Sequence, residues 1–291
     1  MARLPWSIAC TAALAACGPT FDPASLIDTT RVLGARVEVA GAPDRASPRA
    51  GETVDVTWLV TSPAATPPLR WAFAVCTPAG GLGCASEPLA VFEGTDVPPR
   101  LSFAVPPATS ATSLIVYGAL CAGGDAMSAF DPQSATCTGD GTTALLTIPL
   151  QLGDDANHNP TADRGFTFDG QPWPATGDPC ATGPRVTAGT QDHVLGNLTD
   201  ASDRERYPTA SATPARESLQ ISQLTTAGTL QAQFSFVEAT DERATTTVER
   251  TWDAPEADEV AAGGLAVTFT FVVRDGRGGT DWTTRAACVE R

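Results

Sequence analysis

Lysine is absent from the chain, and histidine occurs only twice, as His158 and His193. The first absence removes Schiff-base and amine-nucleophile chemistry. The second leaves two imidazoles for acid–base work, one in an Asp/Asn-rich connector and one behind a Gly-containing turn, so a catalytic triad is hard to assemble. Also missing are a Gly-x-Ser-x-Gly elbow, a phosphate-binding glycine loop and a His-Glu-x-x-His helix. All 18 basic residues are arginine, set against 33 acids, and the formal charge is -15. A surface of that sign repels nucleic acid and offers no basic patch for phosphate, so no nucleic-acid partner is expected. Chemistry by carboxylates alone, such as glycoside cleavage, needs two acids about 5 to 9.5 Å apart. The sequence nominates no such pair: Glu238, Asp241 and Glu242 fall between two strand patterns and read as a solvated hairpin tip. The expectation is a protein without catalysis.

Long apolar runs are lacking too. A membrane-spanning helix takes about 20 apolar residues, and the only candidate, Leu4 to Ala16, is shorter. With Arg3 before it and small residues at its end, this stretch has the form of an export signal covering residues 1–16. It closes on Leu14-Ala15-Ala16-Cys17-Gly18. That run resembles the lipobox of bacterial lipoproteins. The resemblance implies diacylglycerol on the Cys17 thiol, cleavage before Cys17 and acylation of its new amino group, which makes membrane lipid a partner. Several acyl chains, at about 0.8 kcal/mol per buried methylene, hold a protein durably where one does not. Gly18, in place of Asp, is similar to an outer-membrane sorting signal, so the expected location is the cell envelope, at the outer membrane.

With Cys10 in the leader and Cys17 lipidated, Cys76, Cys84, Cys121, Cys137, Cys180 and Cys288 remain. An even number in an exported chain reads as disulfides, with 15 possible connectivities. Nearest-neighbour pairing suggests Cys76 with Cys84, Cys121 with Cys137, and Cys180 with Cys288. Loop entropy gives roughly 3 kcal/mol for each short loop and nearly 5 for the long one. Zinc needs closely spaced Cys or His pairs, which this spread of cysteines does not provide.

The rest of the chain, rich in Thr, Ala, Gly and Pro, alternates with period two and shows no long amphipathic helix. Residues 17–32 read as a tether in which Leu26 and Ile27 can dock on the first domain. Val37 and Val39, then Val54, Val56, Trp58 and Val60, alternate with polar residues as half-buried strands do. Leu69–Cys76, Leu101–Val105, Leu114–Leu120 and Ala144–Leu152 continue the series. Gly153 to Pro160, dense in Asp and Asn, breaks it. Further strands are expected at Phe166–Phe168, Leu219–Leu224, Thr229–Val237, Thr245–Trp252, Gly264–Val273 and Trp282–Val289, with Asp200–Arg216 as an exposed polar loop. The architecture expected is all-β: two tandem immunoglobulin-like antiparallel β-sandwiches, residues 33–152 and 166–291, joined by a linker at 153–165. Val267 to Trp282, around Asp275-Gly276-Arg277-Gly278-Gly279, resembles the last hairpin of bacterial immunoglobulin-like and PKD-like extracellular domains. Asp275 reads as the cap of that turn and Trp173 as a plug at one end of a sandwich.

The linker run Asp155-x-Asn157-x-Asn159 resembles the calcium-binding linker of cadherins, although His158 stands where that pattern has Asp and Pro160 comes one residue early. The resemblance implies Asp155, Asn157 and Asn159 as calcium ligands, oxygen donors at alternate positions suiting a hard cation. The same residues also read as an Asx-rich turn. No other cofactor is expected. The function these features suggest is adhesion, assembly or ligand display, with an envelope protein or a glycan as partner. The alternative is a carbohydrate-binding or carbohydrate-cleaving envelope protein.

Overall fold

The computed structural model describes residues 23–79, 84–85, 87–126, 137–138, 141–153, 157–175, 177–209 and 213–291. The chain is almost wholly β. The strands of its first half are β1 (Arg31–Val39), β2 (Thr53–Thr61), β3 (Leu69–Cys76), β4 (Ala90–Gly94), β5 (Arg100–Ala104), β6 (Ser113–Ala122), β7 (Asp125–Ala126), β8 (Cys137–Thr138) and β9 (Thr142–Gln151). They form a β1-β2-β5 sheet facing a β4-β3-β6-β9 sheet, with β7 and β8 as a small separate pair. Alternation produces the core directly. Val54, Val56 and Trp58 point inward from β2 while Leu69, Trp71, Phe73 and Val75 point inward from β3, and Trp58 stacks on Phe73 with centroids 4.2 Å apart. Stacked aromatic pairs of this kind add about 0.5–1.5 kcal/mol beyond their buried area.

The second half contains β10 (Thr167–Phe168), β11 (Gln171–Pro172), α1 (Pro179–Thr182), β12 (Arg185–Thr187), β13 (His193–Asp200), β14 (Arg206–Tyr207), β15 (Ala215–Arg216), β16 (Leu219–Thr225), β17 (Thr229–Leu230), β18 (Phe234–Val237), β19 (Thr245–Asp253), β20 (Leu265–Arg274) and β21 (Thr280–Glu290). Two five-stranded sheets, β11-β10-β13-β19-β17 and β12-β21-β20-β16-β18, enclose Phe168, Trp173, Trp252, Phe269 and Phe271. Among the described strands every pairing is antiparallel except β12 with β21, and the isolated bridge of Leu26 to Thr225 is parallel as well. Trp173 is buried among these rings and donates its indole N–H to Ala286 O (2.9 Å), so it plugs the core.

Three expectations change. Thr229–Val237 is not one strand: it breaks after Leu230, and β17 pairs with β19 while β18 pairs with β16 in the opposite sheet. The chain steps from one sheet to the other there because Gln231 N–H bonds Thr251 O and Gln223 N–H bonds Gln233 O, ladder contacts that lie in different sheets. Asp200–Arg216 is not simply an exposed loop. Among its described residues it holds a single helical turn capped by Asp200, the β14–β15 hairpin, and the buried side chains of Asp203 and Arg204.

The third change concerns Leu26 and Ile27, which dock on the second half rather than the first. Ile27 N–H donates to Thr225 O (2.8 Å), Thr225 N–H donates to Ser25 O (2.9 Å), and Ile27 is buried. The end of β16 still has free ladder positions at Thr225, and a buried Ile side chain is worth roughly 1.5–3 kcal/mol. Residues 23–29 therefore form a strap on the second half, and the chain joins the first at Thr30, whose hydroxyl bonds that of Ser62 (2.8 Å), and at Arg31, which pairs with Thr61.

Candidate functional site

A polar constellation lies where the two halves meet, and the described part of the linker is its hub. Pro160 holds Asn159 in extended geometry. From there Asn159 Nδ2 donates to Val37 O (2.7 Å), its Oδ1 accepts Thr280 N–H (2.9 Å), and its own N–H donates to Asp44 O (2.6 Å). One residue thereby ties β1, the loop after it, and β21. Asp281 works alongside: one carboxylate oxygen pairs with Arg36 of β1 and the other accepts Ala162 N–H (2.9 Å). Thr161 N–H reaches Asp203 Oδ1 (3.1 Å), and Arg274 donates to Leu33 O.

Around this hub stand Glu205, Glu217, Asp275, Arg277 and His158. His158 Nδ1 contacts Glu205, whose carboxylate also accepts His158 N–H (3.1 Å). Glu217 accepts from Arg277 Nη1 (2.8 Å) and from Glu205 N–H (2.8 Å), and the Arg277 guanidinium lies over the Tyr207 ring at 4.5 Å. Asp275 Oδ1 accepts Arg277 N–H (2.7 Å) and Gly279 N–H (3.0 Å), so Asp275 caps the turn as its sequence setting suggests. Gly279 is required by close approach, since a Cβ there would sit 2.1 Å from Asp275 Oδ2 and 2.5 Å from His158 O. Burial raises Glu217 to about 7, with the charges of Asp275 and Glu205 adding to it, and burial raises Asp275 to about 6. Raised carboxyls are the equipment of a general acid. Here, however, the Glu217 side chain is 1% exposed and Asp275 3%, so neither meets a substrate in this arrangement. A cleft of about 390 Å³ beside these residues is lined by Pro149, Gln151, Gly276 and Arg277.

The residues implied as calcium ligands are distributed unevenly. Asp155 lies outside the described residues, and so does Cys17. The Asn159 side chain is committed to its hydrogen bonds with Val37 O and Thr280 N–H. Asn157 donates to Arg277 O (3.2 Å), and its buried Oδ1, like Asp275 Oδ2, has no protein donor. Among the described residues, no three His, Cys, Asp or Glu side chains gather as a metal cluster. The six cysteines pair as Cys76–Cys84, Cys121–Cys137 and Cys180–Cys288.

Sequence order hides a hydroxyl–imidazole–carboxylate chain that the structure assembles. Thr190 Oγ1 lies 2.7 Å from His193 Nε2, and His193 Nδ1 lies 2.8 Å from Asp169 Oδ2. A triad that is hard to assemble from sequence neighbours is thus present as geometry. As machinery for acyl transfer it is incomplete. Thr190 Oγ1 also donates to Thr187 O (2.5 Å), and the N–H groups of Ala188, Gly189 and Thr190 bond Glu290 O, Pro255 O and Thr187 O. Those amides are therefore committed elsewhere and cannot hold an oxyanion. Asp169, at φ +49°, also accepts Val194 N–H (2.8 Å), so the chain fastens the β10–β11 turn to β13.

Buried Glu217 and Asp203, and half-buried Glu205 and Asp281, carry no local sequence signal of their roles, because their partners come from segments distant in the chain. Compared with protein-family models and with curated proteins, the chain matches none.

Proposed function

We propose that the chain is an exported, lipid-anchored cell-envelope protein whose two immunoglobulin-like sandwiches serve adhesion, assembly or ligand display. The observation that carries this reading is the lipobox-like run ending at Cys17 behind an apolar leader. Two features of the structure support it. The six remaining cysteines are all engaged in disulfides, which belong to an oxidising compartment. The halves are sandwiches of facing antiparallel sheets, a common vehicle for display, although fold alone assigns no ligand.

A protein contact is favoured over a glycan platform. Among the described residues no tryptophan is exposed, and the exposed aromatics are Phe234 and Phe236 on the edge strand β18. Sugar platforms need aromatic rings along a groove, whereas an apolar pair on an open strand edge suits another polypeptide.

The reading predicts that native protein partitions into the detergent-soluble membrane fraction and that Cys17→Ser shifts it to the soluble fraction. Equal partitioning of the two forms would remove the anchor.

A further inference from the structure

We infer that the seam between the two halves binds a calcium ion, held by Asp275 Oδ2, Asn157 Oδ1 and the carbonyl oxygen of His158. The inference goes beyond the display reading and does not depend on the anchor. Its carrier is a shortage of donors. Among the described residues, Asn157 Oδ1 and Asp275 Oδ2 are the only buried, unpaired side-chain atoms that accept a hydrogen bond and never donate one; the other unpaired atoms are indole and guanidinium nitrogens and hydroxyls. Asn157 is fully buried and Asp275 is 3% exposed. Leaving such groups without a partner is costly, most of all for a charged one.

Both orphans belong to one turn. Arg277 N–H donates to Asp275 Oδ1 (2.7 Å) and Asn157 Nδ2 donates to Arg277 O (3.2 Å), so the carboxylate and the carboxamide hang on the two backbone groups of a single residue. A third acceptor joins them. A Cβ on Gly279 would lie 2.1 Å from Asp275 Oδ2 and 2.5 Å from His158 O, which places these two oxygens within about 4.6 Å of each other. Two ligands of one calcium ion, at 2.3–2.6 Å each, stand no more than about 5.2 Å apart. No described donor reaches His158 O.

Lighter occupants fall short. A proton on Asp275 serves Oδ2 and His158 O and leaves Asn157 Oδ1 bare, and one water has two hydrogens for three acceptors. A cation satisfies all three. Its sign fits the surroundings, where Glu205, Glu217 and Asp275 stand against a single arginine, Arg277. An irregular set of carboxylate, amide and carbonyl oxygens suits calcium, whereas zinc favours nitrogen and sulfur and magnesium demands an octahedron. The cleft beside Gly276, Arg277 and Gly278 admits the waters that complete the shell. The set differs from the alternate positions Asp155, Asn157 and Asn159, because the Asn159 amide is committed elsewhere. It also crosses the seam: Asn157 O accepts Ala46 N–H (2.7 Å) of the first half, and Asp275 belongs to the second.

The test adds calcium chloride to chelator-stripped chain 17–291 carrying Cys17→Ser, at pH 8, where the seam carboxyls are ionised. Calorimetry is expected to give one site with a Kd on the order of 10⁻⁴–10⁻³ M, as a single carboxylate ligand implies. Calcium at about 10 mM is expected to raise the melting temperature by about 3–10 °C over that in EGTA. The amide signals of His158, Arg277 and Gly279 should shift and saturate together. Asp275→Asn keeps the acceptor for Arg277 and Gly279 and turns an N–H toward His158 O, so it is expected to fold and to lose the calcium response. No heat and no melting shift in the parent, an equal response to magnesium, saturating shifts confined to other residues, or a variant that responds as the parent does would each overturn the inference. Should the variant not fold, the amide shifts of the parent decide.

Discussion

Replacing Cys180 and Cys288 together by alanine is expected to destabilise the second half by roughly 4–5 kcal/mol, the value the loop-entropy relation gives for a closed loop of about 100 residues. The bridge spans 108 residues and joins the start of the half to its last strand. It also reinforces a weak point. α1 has four residues, capped by Asp178, and β12 makes the parallel pairing, three residues long, that follows it onto β21. Neither element has enough contact to hold position alone, and short parallel ladders are slightly weaker per residue than antiparallel ones. Domains of this size are stable by about 5–15 kcal/mol in total, so the loss is a large share of what is available. Chemical denaturation followed through tryptophan fluorescence provides the measurement, with Trp173 and Trp252 reporting on this half. An unchanged midpoint would show that the sheets alone carry the fold. Opening Cys76–Cys84, which closes a separation of 8, is expected to have the smaller effect.

Between pH 8 and pH 5 the protein is expected to become more stable, by on the order of 3 kcal/mol, because of the seam. Glu217 titrates near 7 in the folded chain against an ordinary 4.5, and Asp275 near 6 against 3.8. The folded state therefore binds more protons than the unfolded state across this window. For a raised acid the stabilisation is complete below the unfolded value and is lost as pH rises through the folded one. One shift of about two units corresponds to about 3 kcal/mol at 1.36 kcal/mol per unit. Because the two carboxyls repel each other, they titrate as a coupled pair and their contributions are not summed. Below pH 4 the trend reverses. Asp241 is held low by its hydrogen bonds to Arg243, and Glu52 is held low by Arg45, so protonating them removes stability. Discharge of the whole acidic surface also favours folding as pH falls, and Glu217→Gln separates the two effects. That variant, followed by thermal melting at several pH values, should flatten the slope between pH 5 and 8. A slope identical to that of the parent would place the dependence elsewhere.

Much of the β architecture was legible because half-buried strands write their burial with period two. Val54, Val56 and Trp58 point inward as read, although Leu59 after them is buried too and Val60 only half-buried, and β20 and β21 flank the Asp275 turn as their sequences suggest. The elements that escaped notice do so for definite reasons. β13 turns Leu195, Asn197 and Thr199 inward, so its buried face is largely polar and hides the alternation; Thr199 is satisfied by Thr246 O (3.2 Å). β4 is an edge strand whose Val91 is exposed, so it lacks the contrast between faces. The seam was illegible for another reason. Asn159 and Thr280 meet across 121 positions, and nothing in either neighbourhood announces the other. The linker drew attention as a string of oxygen donors, and in the structure its described amides serve as hydrogen-bonding cross-ties between the halves.

The central claim, that Cys17 begins the mature chain and carries lipid, is tested most directly by the mass of the N-terminal peptide from protein extracted from its native membrane. The account predicts a peptide that starts at Cys17, bearing a diacylglyceryl group on the thiol and an acyl chain on the amino group. An unmodified peptide, or one that begins anywhere else, would contradict it.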